Sequence, residues 1–481
     1  MVKIPELIVI VIYLVAMIGI GVIYIKKAGL SETDFFVAGR SISGFWGGLA
    51  IASDYTSAGT LVAGVGLALK FGGWGLYIWP CLLVVFGFVF FAFTLGPSLR
   101  EKQFTTLPDF FEEKGSPALR IVAAIFIILI MGVYLIVQLK AAGLIGEYVL
   151  GLPYKAGVII MGATYIIYVV FGGMASSIWT GVVQMIMMLL AVVTIAIASL
   201  VHAGGLTNLM TITAEKAPWF MTSTGKIGME FPVTYAIIMM FIMLSMPHVL
   251  MRGYSAKSES EARRTFLWGG FWTSIFYIFF LLVLVAMMAI IMPVERPDMA
   301  WILLTSKILP SHIMTGFALA ALLAATMSTT SAQLMATSSA ISHDIYTKVI
   351  KKNEKISTQR LAYIGRVVTL IVGIITVAIT LYPPLLVGKM LSLSGSLAGA
   401  SFLVPLYGGL YWRRSNKYAI GASMIGGFCF VILTHPIFNI MPIEPQTWPG
   451  VIGVLFSAVI FCTVAIFSKK EDLKEDVILV R

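Results

Sequence analysis

Residues Leu322–Asp344 read LLAATMSTTSAQLMATSSAISHD, with hydroxyls at Thr326, Ser328, Thr329, Thr330, Ser331, Thr337, Ser338, Ser339 and Ser342 and no charge before His343-Asp344. So many oxygens with so few charges need an explanation, because the surrounding chain is strongly apolar. Of its 481 residues, 59% are hydrophobic and 11% charged, and the mean hydropathy is +0.97. Apolar runs of about 20 residues, the length that spans a bilayer, recur from end to end. Thirteen candidates stand out: 5–25, 44–69, 75–96, 117–148, 155–172, 178–202, 231–251, 265–292, 312–342, 361–382, 385–410, 418–439 and 449–467. Within hydrocarbon only helices and closed barrels satisfy every backbone group, and continuous apolar runs lack the alternation of a barrel. The expected fold class is therefore all-α, a polytopic membrane protein of about 13 transmembrane helices. The first run lacks the basic start and cleavage site of a signal peptide, so it counts as a helix.

The net charge of +11 invites a nucleic-acid partner, but its distribution argues against one. Basic residues such as Lys26, Lys27, Arg100, Arg120, Arg252, Arg263, Lys351, Lys352, Arg413 and Arg414 fall on one set of loops. The other set carries fewer, among them Lys3, Lys70, Lys155 and Lys389. That asymmetry is the positive-inside pattern of a cell-membrane protein, with the N-terminus expected outside and the C-terminus cytoplasmic. Cys81, Cys429 and Cys462 form no metal or disulfide pattern. The chain is silent on oligomeric state, and a monomer is the default.

Two candidate spans are interrupted. In the first, Ala52-Ser53-Asp54-Tyr55-Thr56-Ser57-Ala58-Gly59 breaks an apolar run, and Asp54 is the acidic residue deep within it. A carboxylate there costs at least ~2.5–3.5 kcal/mol on insertion scales and marks a functional site by default. The bland alternative is a carboxylate bonded to nearby backbone or hydroxyls. In the second, Pro247 of MLSMPHVLMRGY removes a backbone donor, with His248 beside it read as part of the helix break. Two broken helices in corresponding places of two halves are the mark of an inverted-repeat transporter with a midplane site.

The hydroxyl-rich helix then acquires a use. Ala321, Ala325, Ser328, Ala332, Ala336 and Ser339 share one small-residue face, whose ordinary role is close packing. Many hydroxyls can bond carbonyls one turn back. Ser328 and Thr329, joined by carbonyls freed at a helix break, would make an uncharged oxygen cage. Such a cage suits Na⁺, whereas a carboxylate-rich one suits Ca²⁺.

At these residues the sequence resembles the sodium:solute symporter family, which has a LeuT-type core. The resemblance runs through FFVAGRSISGFWGGLAIASDYTSAGT (35–60), YVVFGGMASSIWTGVVQ (168–184), MPHVLMR (246–252) and AATMSTTSAQLMATSSAISHDIY (324–346). GLAIASDYTSA, YLIVQLKAAGLI (134–145) and the SESEARRTF that follows PHVLMR are similar to the cation/acetate, or monocarboxylate, branch. The resemblance implies a five-plus-five inverted repeat, at 43–203 and 231–410. An extra N-terminal helix and loop (1–42) precede it, and two helices and a cytoplasmic tail (411–481) follow. It implies a sodium site of backbone carbonyls from Ala52, Tyr55 and Ala325 with the hydroxyls of Ser328 and Thr329. Asp54 would serve coupling, and Thr56, Ser57, Tyr77, Gln138, Lys389 and Ser392 would line the solute site. Some members hold a second sodium on an aspartate and a hydroxyl. Here Gly181 and Ala332 stand at those positions, so one sodium is expected. The expected activity is sodium-driven import of a short monocarboxylate such as acetate by alternating access. A proton-coupled carrier using Asp54 is the rival. A channel fits the broken helices poorly, and no catalytic motif supports an enzyme.

Overall fold

The computed structural model describes residues 3–57, 59–351, 354, 356–382 and 387–468, and all regular structure among them is helical. The expected C-terminal tail lies outside the described residues. The elements used below are α1 (Ile4–Ile23), α2 (Glu32–Val37), α3 (Gly44–Tyr55), α4 (Gly75–Phe93) and α5 (Leu107–Lys114). They continue with α6 (Pro117–Leu150), α7 (Tyr154–Ala203), α8 (Glu230–Ser245), α9 (Pro247–Tyr254) and α10 (Glu259–Ile291). The last are α11 (His312–Ser339), α12 (Thr358–Thr380), α13 (Val387–Ala398), α14 (Lys417–Thr434) and α15 (Trp448–Phe467).

Local chemistry sets many of the ends. Ser258 and Ser311 accept a backbone N–H at the starts of α10 and α11, and Asn416 accepts two at the start of α14. Among the described residues ten helices are long and apolar enough to cross a membrane, and α8 with α9 forms an eleventh span bent by 40°. The difference from thirteen arises at two places. The expected runs 155–172 and 178–202 are two helices on either side of a kink at Gly173 (φ 57, ψ −148), counted once as α7, whose 50 residues at about 1.5 Å each are too long for one crossing. A side chain there would face that left-handed φ and a Cβ 2.7 Å from the Phe35 carbonyl oxygen, so glycine alone fits. The expected run 44–69 divides into α3, π-helical turns at Gly59–Gly64 and a short helix Val65–Lys70. None of these pieces alone is long enough to span.

The middle of the bundle is built on close approach. α3 lies against α10 through Gly44, Gly47 and Gly48, where a Cβ would meet Arg264 Cβ at 2.4 Å, Thr265 Oγ1 at 2.7 Å and Trp268 Cβ at 2.3 Å. α11 is buried along almost its whole length, with 83% of its most apolar window covered, against 28% for the lipid-facing α12. A long, mildly apolar helix is thus tolerated because its partners are protein and not lipid.

Gly48→Val should force α3 from α10. A loss of about 1–3 kcal/mol, the usual cost of overpacking, should appear as a lower thermal midpoint in detergent. An unchanged midpoint would show that this contact does not set the spacing.

Candidate cation and solute site

α3 stops where its backbone does. Thr56 leaves the helical region (φ −78, ψ 76), although its N–H still reaches the Ala52 carbonyl at 2.9 Å. α8 stops in the same way at Met246 (φ −73, ψ 126), and Pro247 opens α9 at a position where its missing N–H costs nothing. The end of α3 packs against the middle of α8, where the Tyr55 hydroxyl donates to the Met239 carbonyl at 2.9 Å.

Asp54 sits at this junction with a partner that sequence reading missed. Arg252 donates from Nε to Oδ2 at 2.6 Å and from Nη2 to Oδ1 at 2.9 Å, and neither side chain is exposed to any extent. The expectation of a carboxylate satisfied by backbone or hydroxyls is corrected, as is the placing of Arg252 in a loop. A lone carboxylate in an apolar run should have prompted a search for a cation, since a buried charge requires one. Arg252 lies five residues beyond Pro247, on the same short helix. Its Nη2 also reaches Ser177 Oγ at 3.0 Å, and Ser177 meets Ser331 Oγ at 2.9 Å. One guanidinium thus ties α3, α7, α9 and α11 together.

Most hydroxyls of the opening stretch bond their own helix. Thr330, Thr337, Ser338 and Ser342 donate to carbonyls four residues back at 2.6–2.9 Å. Ser328 and Thr329 differ: Ser328 Oγ donates to the Ser53 carbonyl and Thr329 Oγ1 to the Asp54 carbonyl, each at 2.8 Å. Both also approach the Ala325 carbonyl, at 3.4 and 3.3 Å. Of the expected carbonyls, Ala325 is therefore at the cluster. Those of Ala52 and Tyr55 flank the two that the hydroxyls contact, and each accepts a local N–H. The convergence of neutral oxygens from two helices fits a monovalent cation.

Two small cavities run along the break, each enclosing about 20 Å³. One is lined by Asp54, Ser57, Tyr134, Ile242, His248 and Leu391 among others, the other by Tyr77, Leu76, Tyr235 and Tyr277, and both share Tyr55, Thr60 and Met239. Each holds little more than one water, so binding any solute must move these walls. Of the expected solute residues, Ser57 and Tyr77 line the cavities. Thr56 is buried with its hydroxyl unpartnered, and Gln138 is buried with both amide atoms unpartnered. Lys389 is exposed and Ser392 donates to the Gln446 carbonyl at 3.0 Å, so these two are not brought to the cavities. His248, buried with Nδ1 unpartnered, is a wall residue that sequence reading had assigned only to the helix break.

The sequence profile of the sodium:solute symporter family matches residues 35–427, which include every expected sodium and solute residue. The chain belongs to the sodium:solute symporter family. It is 28% identical to the sodium/pantothenate symporter of Escherichia coli K12 over 434 residues, covering 88% of this chain and 89% of the relative. It is 27% identical to the osmoregulated proline transporter OpuE of Bacillus subtilis 168, covering 88% and 87%. Among solved structures, an outward-open, substrate-bound Na⁺-coupled sialic acid symporter superposes with a TM-score of 0.82 at 19% identity, covering 98% of this chain and all of that one. MhsT in complex with L-phenylalanine superposes with a TM-score of 0.55 at 14% identity, covering 89% and 98%. These likenesses establish the LeuT-type architecture. As a member of this family the protein is a sodium-coupled symporter of a small solute, not an enzyme, and Na⁺ is its coupling ion.

Asp54→Asn leaves Arg252 buried and unpaired, which should cost about 3–5 kcal/mol and appear first as a lower thermal midpoint. The double variant Asp54→Asn, Arg252→Gln should regain stability and still fail to accumulate solute. Full transport by the double variant would reduce the pair to scaffolding.

Proposed function

We propose that the protein imports a small carboxylate-bearing solute with one sodium ion, by alternating access, with the N-terminus outside and the C-terminus cytoplasmic. The observation that carries this reading is the pair of hydroxyls, Ser328 and Thr329, aimed at the carbonyl end of the broken α3. A sodium ion there would be held by those hydroxyls and by the carbonyls of Ala325, Ala52 and Tyr55, with Asp54 fixing the junction through Arg252.

The solute class rests on chemistry shared by the relatives. Pantothenate, proline and sialic acid differ in size and polarity, yet each carries one carboxylate. Short monocarboxylates such as acetate are the smallest solutes of that class and demand the least movement of the Tyr55, Tyr77 and Tyr134 walls. Thr56, Ser57 and Gln138 offer neutral partners for a carboxylate, which helix ends and hydroxyls can hold without an arginine. Lys389 and Ser392 remain further proposed contacts, requiring rotation of α13, whose Leu391 already lines a cavity. The proton-coupled rival is disfavoured because both Asp54 oxygens are taken by a fixed cation in a fully buried setting.

Stoichiometry follows from the same region. Thr180 Oγ1 bonds its own helix at the Ser176 carbonyl, at 2.8 Å, and a Cβ on Gly181 would lie 2.8 Å from Ser53 Oγ. Ser177 and Ser331, the remaining hydroxyls nearby, bond each other, and Ser177 also receives the Arg252 guanidinium. A cation already built into the chain therefore stands beside the place where a second sodium would sit.

Ser328→Ala and Thr329→Ala should each raise the sodium half-saturation concentration about tenfold, equivalent to ~1.4 kcal/mol, with uptake partly restored at saturating sodium. Overlapping sodium titrations for both variants and the unaltered protein would refute the cage. Proteoliposomes loaded with a panel of labelled acetate, propionate, pyruvate, lactate, pantothenate and proline test the solute class. Sodium dependence should be hyperbolic, and an imposed inside-negative potential should leave accumulation of a monoanion unchanged, since Na⁺ and the anion together carry no net charge. Sigmoidal sodium dependence or a current that follows anion uptake would count against one ion. Saturable uptake of none of the panel would remove the carboxylate reading.

A further inference from the structure

At the end of the bundle where α3 begins, a second buried ionic cluster stands apart from the site described above. Arg120, at the start of α6 and with its side chain 5% exposed, meets three carboxylates: Asp344 Oδ1 at 2.5 Å, Asp109 Oδ1 at 2.6 Å and Glu112 Oε2 at 2.5 Å. Asp344 also accepts from Thr106 Oγ1 at 2.8 Å. His343 bridges Glu32 Oε1 at 2.8 Å and Asp109 Oδ1 at 3.3 Å. Asp109 in addition caps its own helix, accepting the Thr105 and Thr106 N–H groups at 2.8 and 3.0 Å. Burial works against the Asp109 charge. The hydrogen bond and charge of His343, with the charge of Arg120, outweigh it and hold the carboxyl well below the usual carboxylate range.

The position of the cluster gives it a consequence. His343 and Asp344 lie on the continuation of α11, the helix that carries Ser328 and Thr329, about 21 Å further along at 1.5 Å per residue. That continuation, Ala340–Ile350, is π-helical, and such irregular turns recur at functional sites. Glu32 belongs to α2, which leads directly into α3, and Asp109 and Glu112 belong to α5. The cluster therefore ties the far end of the cage helix to α2, α5 and α6 at once. A cation leaving the cage toward that end moves along α11, whose far end these bonds hold against α2, α5 and α6. The ligating atoms of Asp109, His343 and Asp344 lie within 4.8 Å of one another, a grouping that could hold a metal ion. The Arg120 guanidinium already occupies two of the three, so the charge that closes the group is supplied by the chain itself.

We propose that Arg120 is a positioning residue for transport, a three-armed clasp that holds the cytoplasmic end of α11 shut and must release once per cycle. The proposal rests on the orientation and alternating access argued above. Its loss should favour the inward-open form and leave the chemistry of the cage intact. The apparent affinity for external sodium falls in proportion to the outward-facing fraction that remains.

The test uses the full chain in sealed vesicles of either orientation, with Cys81, Cys429 and Cys462 replaced by Ala and a reporter cysteine at Ser339, between cage and cluster. A membrane-impermeant maleimide reports access from each side. Arg120→Gln should speed labelling from the cytoplasmic side by about tenfold and raise the external sodium half-saturation by a similar factor, as a population shift of that size requires. Solute exchange at saturating sodium should fall less than twofold. Arg120→Lys, which keeps the charge and loses the fork, should lie between. If Arg120→Gln does not fold, Asp344→Asn weakens the one arm that reaches α11, leaves the two on α5, and should move labelling and sodium affinity in the same direction. Unchanged labelling and sodium affinity in a folded variant overturn the proposal. A fall in maximal rate alone does the same, since that is what a merely structural loss gives. Failure of the transport reading is distinguishable, because the unaltered chain would then show no sodium-driven uptake while the labelling comparison would still stand.

Discussion

Two opposite charges buried in the middle of an apolar bundle constrain everything around them. Once Asp54 and Arg252 leave water, each must find the other with good geometry, because an unpaired member costs several kcal/mol. The pair is bidentate, so it fixes angle as well as distance. α3 and α9 are short and each ends at a break, and such half-helices would otherwise be free to pivot. The ion pair joins them near the break. The Ile42 and Lys257 backbone bonds, at 3.2 and 3.0 Å, join α3's start to α9's end. Two attachment points along one length make the pair of half-helices a rigid unit. The remaining arm of the guanidinium reaches Ser177, and through it Ser331, so α7 and α11 are referenced to the same point.

Against that frame the hydroxyl stripe divides by job. A hydroxyl that bonds a carbonyl one turn back is satisfied without outside help, and its small size lets a neighbouring helix come close. Such a residue contributes packing and nothing specific. Ser328 and Thr329 send their protons across a helix boundary to α3. Their lone pairs remain free, and the carbonyls that they contact belong to the last turn of a helix, where acceptors lack intrahelical partners. The same atoms can serve a hydrogen bond or an ion. Binding an ion therefore means exchanging one set of neutral contacts for another, which suits a site that must fill and empty in every cycle.

The all-helical class, the breaks at Asp54 and Pro247, and the meeting of Ser328 and Thr329 with the broken helix were legible in the sequence, because hydropathy, proline and a lone carboxylate act locally. What was not legible depends on which residues meet in space. Arg252 counts as a loop arginine in any reading that weighs charge against loops, and only the bend at Met246 turns it inward. Arg120 escaped for the same reason. The two helices expected at 155–172 and 178–202 meet at a kink at Gly173, a boundary that the glycine pair made legible. Lys389 and Ser392 were assigned to the solute site by resemblance, and α13 presents Leu391 to the cavity while Ser392 turns to Gln446.

The two buried arginines also explain how a strongly basic chain can keep its centre close to neutral. Arg252 cancels Asp54 at mid-bundle, and Arg120 sits among more carboxylates than it can neutralise at the end of α11. A cation in the proposed cage would meet no large fixed field on arrival, because the charge nearest to it is already paired. In a low-dielectric interior such a field persists over longer distances than in water. On the proposed reading, a cage of neutral oxygens would bind weakly enough to release its ion, and the direction of net movement would come from the gradients across the membrane. On the proposed cation path Ser328 and Thr329 would meet the ion, the mid-bundle pair holds them beside the end of α3, and the distal cluster would govern when the far end of α11 opens.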